Sequence, residues 1–316
     1  MTELAPDAVH EGTPGHSGGS RAIIAALAAN LGIAVTKFIA YLLTRSSSML
    51  AESVHSLADS GNQLLLLLGG RRARAAADET HPFGYGRQRY LYAFIVSIVL
   101  FSVGGLFALY EAWHKWSDPH PITSWHWVPV VVLVAAIGME SLSLRTAVHE
   151  TNRVRGKRSW WQFIRGAKAP ELPVVLLEDT GALIGLVFAL FGVGMTLGTD
   201  DGRWDAVGTA MIGVLLVTIA VVLAFEISSL LLGEAASADD VEAIRAALVG
   251  GGVASVIHLR TLHLGPEELL VAAKIEVTAG ETAELIATAI DAAEARVRAA
   301  VPIATLIYLE PDLRRG

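Results

Sequence analysis

Cysteine is absent from the 316-residue chain, which excludes disulfides, thiolate zinc sites and thiol nucleophiles; a bound metal must use His, Asp, Glu or backbone oxygen. Charge is scarce as well. Charged residues make up 17% against 53% hydrophobic, and the mean hydropathy is +0.50. That balance is too apolar for an ordinary soluble domain and points to a membrane bundle with a small appendix. The net charge of −7 is spread unevenly and singles out no partner; nucleic acid is not expected. HExxH, P-loop and GxSxG signatures are all missing, so an enzyme is not expected either. The first twenty residues, MTELAPDAVHEGTPGHSGGS, lack the apolar run of a secretory signal and the Arg-rich character of a transit peptide. They read as a disordered tail over residues 1–20, with His10 and His16 incidental.

What the chain does have is six apolar segments of spanning length, at about Ala22–Leu43, Ser48–Gly69, Tyr90–Trp113, Trp127–Val148, Leu172–Leu197 and Ala206–Leu232. Arg71, Arg72, Arg74, Arg87 and Arg89 collect between the second and third segments. Arg153, Arg155, Lys157, Arg158, Arg165 and Lys168 collect between the fourth and fifth. The opposite loops carry only Arg45, Lys115 and Arg203. Six spans and the positive-inside rule then place both termini and both basic loops in the cytoplasm. Trp113, Trp116, Trp125 and Trp127 mark the outer interface, Trp160 and Trp161 the inner one. Gly104, Gly105, Gly181 and Gly185 are positioned to permit close helix packing. Arg far outnumbers Lys and Ala is abundant, the mark of a high-GC bacterial genome; this favours the cytoplasmic membrane, with the mitochondrial inner membrane as the alternative.

After Leu232 the pattern changes. Ser237 reads as a cap for the helix ADDVEAIRAAL; two strands follow, VASVIHLRTLHL and ELLVAAKIEVTA, separated by Gly265 and Pro266. The helix ETAELIATAIDAAEARVRAA and the strand IATLIYLEP complete an αββαβ order. Residues 234–316 are thus expected to form a two-layer α+β domain beside a transmembrane domain over 21–233, with one sheet face or edge free for self-association.

Three ionisable residues of the second segment stand out. Glu52, His55 and Asp59 are spaced i,i+3 and i,i+4, on one stripe of one helix, at a depth where a charge is costly and marks an ion pathway. Asp59 lies eleven residues from the outer end of its segment, roughly 16 Å at the helical rise, and Asp179 seven residues from the inner end of the fifth, roughly 10 Å. In a hydrocarbon layer about 30 Å thick those levels nearly meet, and Glu140 of the fourth segment lies close by. His55, Asp59 and Asp179, with Glu178 or Glu140, can face one cavity. Carboxylates with one imidazole and no thiol suit zinc, with cobalt, iron or manganese as alternatives. Glu178 is about 100° round the helix from Asp179, so the two cannot both point straight at one ion.

The stretch LAESVHSLAD, followed by the loop DETHPFGYGR, resembles the cation diffusion facilitator family of proton-coupled divalent metal exporters. VVLLEDTGALIG, HSLADSGNQ, HPFGYGRQRY and RSWWQFI are similar to its branch around the ninth human zinc transporter. The resemblance runs from about Ile23 to Pro311. It implies a homodimer of six-span protomers, each with a cytoplasmic ferredoxin-like domain, exchanging a metal for protons by alternating access, with the metal as substrate and no resident cofactor. Two of the family's ligands map onto His55 and Asp59, and a third onto Asp179. The fourth falls on Val175, which cannot ligate, leaving Glu178, Glu140, Glu52 or water to complete the set. A secondary loop site would use Asp78 and His81, with Tyr85 at its third position. In the C-terminal domain Lys274, Tyr308 and Glu310 stand where relatives bind a metal pair, so none is expected there; His258 and His263 are expected on opposite strand faces. A metal ion loaded from inside would displace a proton from His55, whose ordinary pKa lies near physiological pH. A non-transporting metal sensor or scaffold is the rival reading.

Overall fold

The computed structural model describes residues 17–119 and 125–313, with side chains from Asn30 onward. His10, His16 and most of the tail expected over 1–20 lie outside the described residues. Helix α1 (Ser17–Thr44) already begins three residues before that boundary closes. It is followed by α2 (Ser47–Arg72), α3 (Gln88–Val99), a π-helical segment (Leu100–Leu106), α4 (Phe107–Ser117), α5 (Trp127–Arg155), the short α6 (Trp160–Gly166), α7 (Glu171–Thr199) and α8 (Arg203–Leu232). Each apolar segment read from the sequence lies inside one of these long helices, α3, the π segment and α4 forming a single rod.

Four rods are long and apolar enough to cross a membrane: Gln88–Ser117, Trp127–Arg155, Glu171–Thr199 and Arg203–Leu232. The chain is therefore a helical membrane protein. The described apolar part of α1, Asn30–Thr44, is shorter, and α2, with Glu52, His55, Asp59, Asn62 and five serines, is not among the four.

Tight local geometry sets the helix pairing. Arg45 takes a left-handed conformation (φ 56°), which turns the chain between α1 and α2 in two residues. Ser46 caps α2, and Asp205 of α8 reaches across to it, accepting from Ser46 Oγ (2.9 Å), Ser47 N (2.7 Å) and Ser48 N (3.3 Å). Donors that a helix N-terminus leaves open are thus satisfied by another helix. The π segment lies almost on the backbone of α8: a Cβ at Gly105 would stand 2.6 Å from Val217 Cγ2 and 3.1 Å from its nitrogen. Gly192 and Gly208 bring α7 and α8 equally close, a Cβ at Gly208 falling 2.8 Å from the Phe188 carbonyl.

Helix α6 has no counterpart in the sequence reading. Its seven residues are set by a capping box between Ser159 and Gln162, and Arg155 stacks over Trp160 at 4.3 Å.

The C-terminal part has its own core, with Ile244 and Leu248 of α9 (Ala238–Leu248) and Ala293 and Val297 of α10 (Ala283–Ala300) packed on one face of a three-stranded sheet. Strands β1 (Val253–Gly265) and β2 (Glu268–Val277) pair antiparallel, and β3 (Leu306–Asp312) joins β2 in parallel, giving the αββαβ order. Along β2 every second residue is buried, Leu269, Val271, Ala273, Ile275 and Val277. The opposite face carries His258, Arg260, Lys274 and Tyr308 around a groove of about 350 Å³, with Lys274 paired to Glu310 and Asp312.

The sheet is docked on the helices through its β1–β2 end. Arg89 pairs with Glu171 and with Glu267 of the hairpin turn, Lys168 pairs with Glu234, and the His263 amide donates to the Glu234 carbonyl (2.9 Å). His263 is buried and its Nδ1 lies 3.2 Å from the Gly265 carbonyl; His258 is exposed and its Nε2 accepts from Arg260. The two histidines have separate surroundings.

Replacing Asp205 by Ala strips four buried donors, Ser46 Oγ, the Ser47 amide and hydroxyl and the Ser48 amide, of their carboxylate and is expected to destabilise the protein by about 2–3 kcal/mol, read as a lowered thermal midpoint in detergent. Burial, foremost, holds the His263 pKa below its ordinary 6.5. The unfolded chain therefore takes up the proton first, so the stability present above pH 6.5 is lost as pH falls through the window beneath it. The thermal midpoint should drop on acidification below about pH 6.5, and His263→Gln should flatten that slope.

Candidate metal centre

Alternate helices run in opposite directions, so α2, α5 and α8 end, and α3 and α7 begin, at the end of the bundle that carries the sheet. Midway along, α2 presents its polar stripe. The structure divides that stripe in two. Glu52, fully buried, turns to α1, where Lys37 (1% exposed) places Nζ 3.0 Å from Glu52 Oε2 and 2.8 Å from Ser56 Oγ. His55 and Asp59 stay together, Nε2 to Oδ2 at 3.5 Å, without forming an aligned hydrogen bond.

Helix α7 answers with two neighbouring acids that point to different helices. Glu178 accepts from Asn62 Nδ2 of α2 at 2.7 Å, and Asp179 accepts from Ser143 Oγ of α5 at 2.9 Å. Their angular separation on the helix is thus used in full, yet both line the same small cavity, together with Asp59 and Glu140. The cavity holds about 20 Å³, enough for one ion or one water. Its other walls are Asn30, Ile33, Ser56, Gln63, Ser143 and Val175. By chain direction Asn30, Gln63, Ser143 and Val175 all lie on the sheet-domain side of the acids, so the cavity extends that way. On the far side the Lys37–Glu52 pair and the Asp205–serine cluster fill the bundle.

Of the residues singled out from the sequence, Asp59, Glu140, Glu178 and Asp179 converge. His55 is set back: it does not line the cavity, and its ring lies by the π segment, where a Cβ at Gly104 would stand 3.9 Å from Nδ1. Both its ring nitrogens and Asp59 Oδ1 are buried without a hydrogen-bond partner among the described residues. Such groups are rare in native proteins and mark places where something else binds or moves. Glu52 is withdrawn to Lys37. No three His, Asp or Glu side chains among the described residues are close enough in this conformation to hold one ion together. Val175 lines the cavity where the family resemblance would place a ligand.

Asp78 and His81 organise their loop. Asp78 accepts from Tyr85 OH (2.7 Å) and from the amides of Thr80 and His81, while His81 Nδ1 is 3.8 Å away and its ring rests on Tyr85. The Tyr85 hydroxyl, more than any other group, draws the Asp78 carboxyl below its ordinary pKa.

Sequence reasoning missed Lys37 and Asn62. Lys37 had a readable signal. With Arg45–Ser46 as the turn between antiparallel helices, its mirror position is Val54, flanked by Glu52 and Ser56. Asn62 lies at i+3 from Asp59, at the edge of the same stripe.

Comparison with known proteins gives the family. Residues 23–232 match the family model for the cation efflux transmembrane domain. The human protein named proton-coupled zinc antiporter SLC30A9, mitochondrial, is 31% identical over 224 residues, covering 70% of this chain and 39% of the human one. Metal tolerance protein C4 of Arabidopsis thaliana is 27% identical over 261 residues, covering 81% of this chain and 56% of its own, and the zinc transporter ZitB of Pectobacterium atrosepticum is 31% identical over 130 residues, covering 41% and 39%. This chain therefore spans roughly two fifths to little more than half of these relatives. The match over two thirds of its length places the chain in the cation efflux family of membrane metal transporters.

Proposed function

We propose that this chain is a proton-coupled exporter of divalent metal, with zinc its first substrate, working by alternating access as a homodimer of six-span protomers. The observation that carries the reading is the convergence of Asp59, Glu140, Glu178 and Asp179 on one ion-sized cavity at mid-bundle, with His55 behind Asp59. Four carboxyls gathered at mid-bundle repel one another, and protons or a dication can supply the counter-charge in turn. That alternation is proton–metal exchange. The ion enters from the sheet-domain side, shifts Asp59 and Asp179 toward itself, engages His55 at the expense of its proton, and leaves once the far side parts and protons return. Helices α1 and α2 complete the six spans, with Lys37 and Glu52 neutralising each other at depth.

The basic loops lie at the sheet-domain end, which puts both termini in the cytoplasm if the membrane is the cell membrane. The human relative is named mitochondrial, which supports the mitochondrial inner membrane as the alternative. The open sheet face around His258, Arg260 and Tyr308 is the surface we assign to the second protomer.

A second reading, a metal sensor or scaffold that binds without flux, is favoured by one observation, the valine at position 175 in the cavity wall. Zinc uptake into proteoliposomes under an imposed pH gradient separates the two. Flux accompanied by opposite proton movement, falling by about a hundredfold or more in Asp59→Ala and Asp179→Ala, is the expected result, since a lost ligand weakens a site more than a lost outer partner. Binding with no flux of zinc, cobalt, iron or manganese would make the sensor the better account. Val175→His should raise zinc affinity by about tenfold by adding an imidazole to an oxygen-rich site; an unchanged affinity would mean that the cavity wall at 175 does not face the ion.

A further inference from the structure

The transport reading leaves one group unexplained. Lys37 is 1% exposed at mid-bundle, held between Glu52 Oε2 (3.0 Å) and Ser56 Oγ (2.8 Å), and Glu52 is fully buried. A buried ion pair is poor value as a stabiliser, because desolvating two charges offsets their attraction, and a matched pair of apolar side chains does as well. Its position is more telling. Glu52 is one turn from His55 and two from Asp59 on the same stripe, and Ser56, the other partner of Lys37, lines the cavity. The second carboxylate oxygen, Glu52 Oε1, is buried without a hydrogen-bond partner among the described residues. It points at α7, where Gly185 leaves the room: a Cβ there would stand 3.0 Å from it.

We infer that Lys37 is a positioning residue for transport, its ammonium withdrawing Glu52 from the ion cavity and thereby fixing which carboxylates the metal meets. The inference rests on the cavity being the metal site. Without the ammonium, Glu52 is a long, flexible acid one turn from His55, and its only charge partner would be the ion. One more oxygen donor favours harder ions such as manganese over zinc. Without Glu52, the ammonium is left buried beside Ser56, and Glu140 and Asp59, both of which already feel its charge, are the cavity acids nearest to hand; it then competes with the incoming dication for those carboxylates. Removing both leaves neither fault. The two single changes therefore damage binding in different ways, and each repairs the other.

The test is calorimetric titration of the purified full-length protein in nanodiscs with zinc and with manganese, in Lys37→Met, Glu52→Leu and the double variant, with Asp59→Ala as control. Glu52→Leu should weaken zinc binding by about tenfold or more, and Lys37→Met should lower the zinc-to-manganese preference by about tenfold, the range typical of partners that orient metal ligands. The double variant should return to within about threefold of the parent on both measures. Equal losses in both singles and the double would reduce the pair to packing and overturn the inference, as would unchanged binding in all three. If Lys37→Met does not yield monodisperse protein, Glu52→Gln decides: it keeps the shape, removes the charge, and is expected to weaken zinc binding, so parental affinity would overturn the inference. Zinc binding intact in Asp59→Ala would instead remove the site reading itself, and this inference with it.

Discussion

Burying the polar stripe of α2 is the demand that organises this molecule. Glu52, Ser53, His55, Ser56, Ser60 and Asn62 are all buried in a bundle whose core is mostly apolar, and in such surroundings an unmatched polar group is expensive. The matches come from different neighbours: Lys37 from α1, Glu178 from α7, and Asp205 of α8 at the N-terminal turn. Helix α2 is the element least able to stand in lipid alone and the one with most of its polar contacts specified. Its neighbours take their places around it, while α5, which meets the site through Ser143 and Glu140, is the most loosely held.

The same demand explains which contacts are complete and which are not. On the far side of the site the start of α2 is densely matched: Asp205 receives amides and hydroxyls from Ser46, Ser47 and Ser48, and Ser47 and Ser48 also meet Thr209. At the site itself His55 Nδ1 and Nε2 and Asp59 Oδ1 are left without partners. Glu52 Oε1, one turn away on the same stripe, is unpartnered among the described residues as well, so the unmet polar groups of α2 gather at mid-bundle. Domain docking reinforces the asymmetry, because Arg89, Lys168, Glu171, Glu234 and Glu267 tie the sheet to the helix ends around the open side.

Much of this was written in the chain's periodicity. Spanning helices are long and apolar, and the αββαβ order follows from a switch between periods of 3.6 and 2, so both were readable. The acids of α2 and α7 were readable because charge at depth is rare. What escaped has a common cause: pairing between helices depends on rotation about their axes, which composition does not carry. The withdrawal of Glu52, the setting back of His55 and the partnership of Glu178 with Asn62 are all rotational facts. The π segment is another, for its extra residue per turn is dictated by Gly105 lying on Val217, a contact made 112 positions along the chain. Hydropathy leaves α2 out of the four spanning rods because it carries buried polar residues that serve the interior and not water.

Val175 gives the site its chemical character. Where an imidazole would have supplied a soft nitrogen, the cavity has an aliphatic wall, and the acids that remain are Asp59, Glu140, Glu178 and Asp179. An oxygen-rich set binds less selectively than a mixed one, since selectivity among first-row ions comes from donor type and geometry more than from raw affinity. Among the described residues the imidazole beside these acids is that of His55, which would have to move to reach the cavity. On the transport reading proposed above, a zinc preference would depend on how freely His55 can swing past Asp59, and so on the π segment against which its ring rests. A rotation of α2 that brought it forward would break the Lys37–Glu52 pair, so on the same reading the choice of metal is tied to the contact that holds the first two helices together.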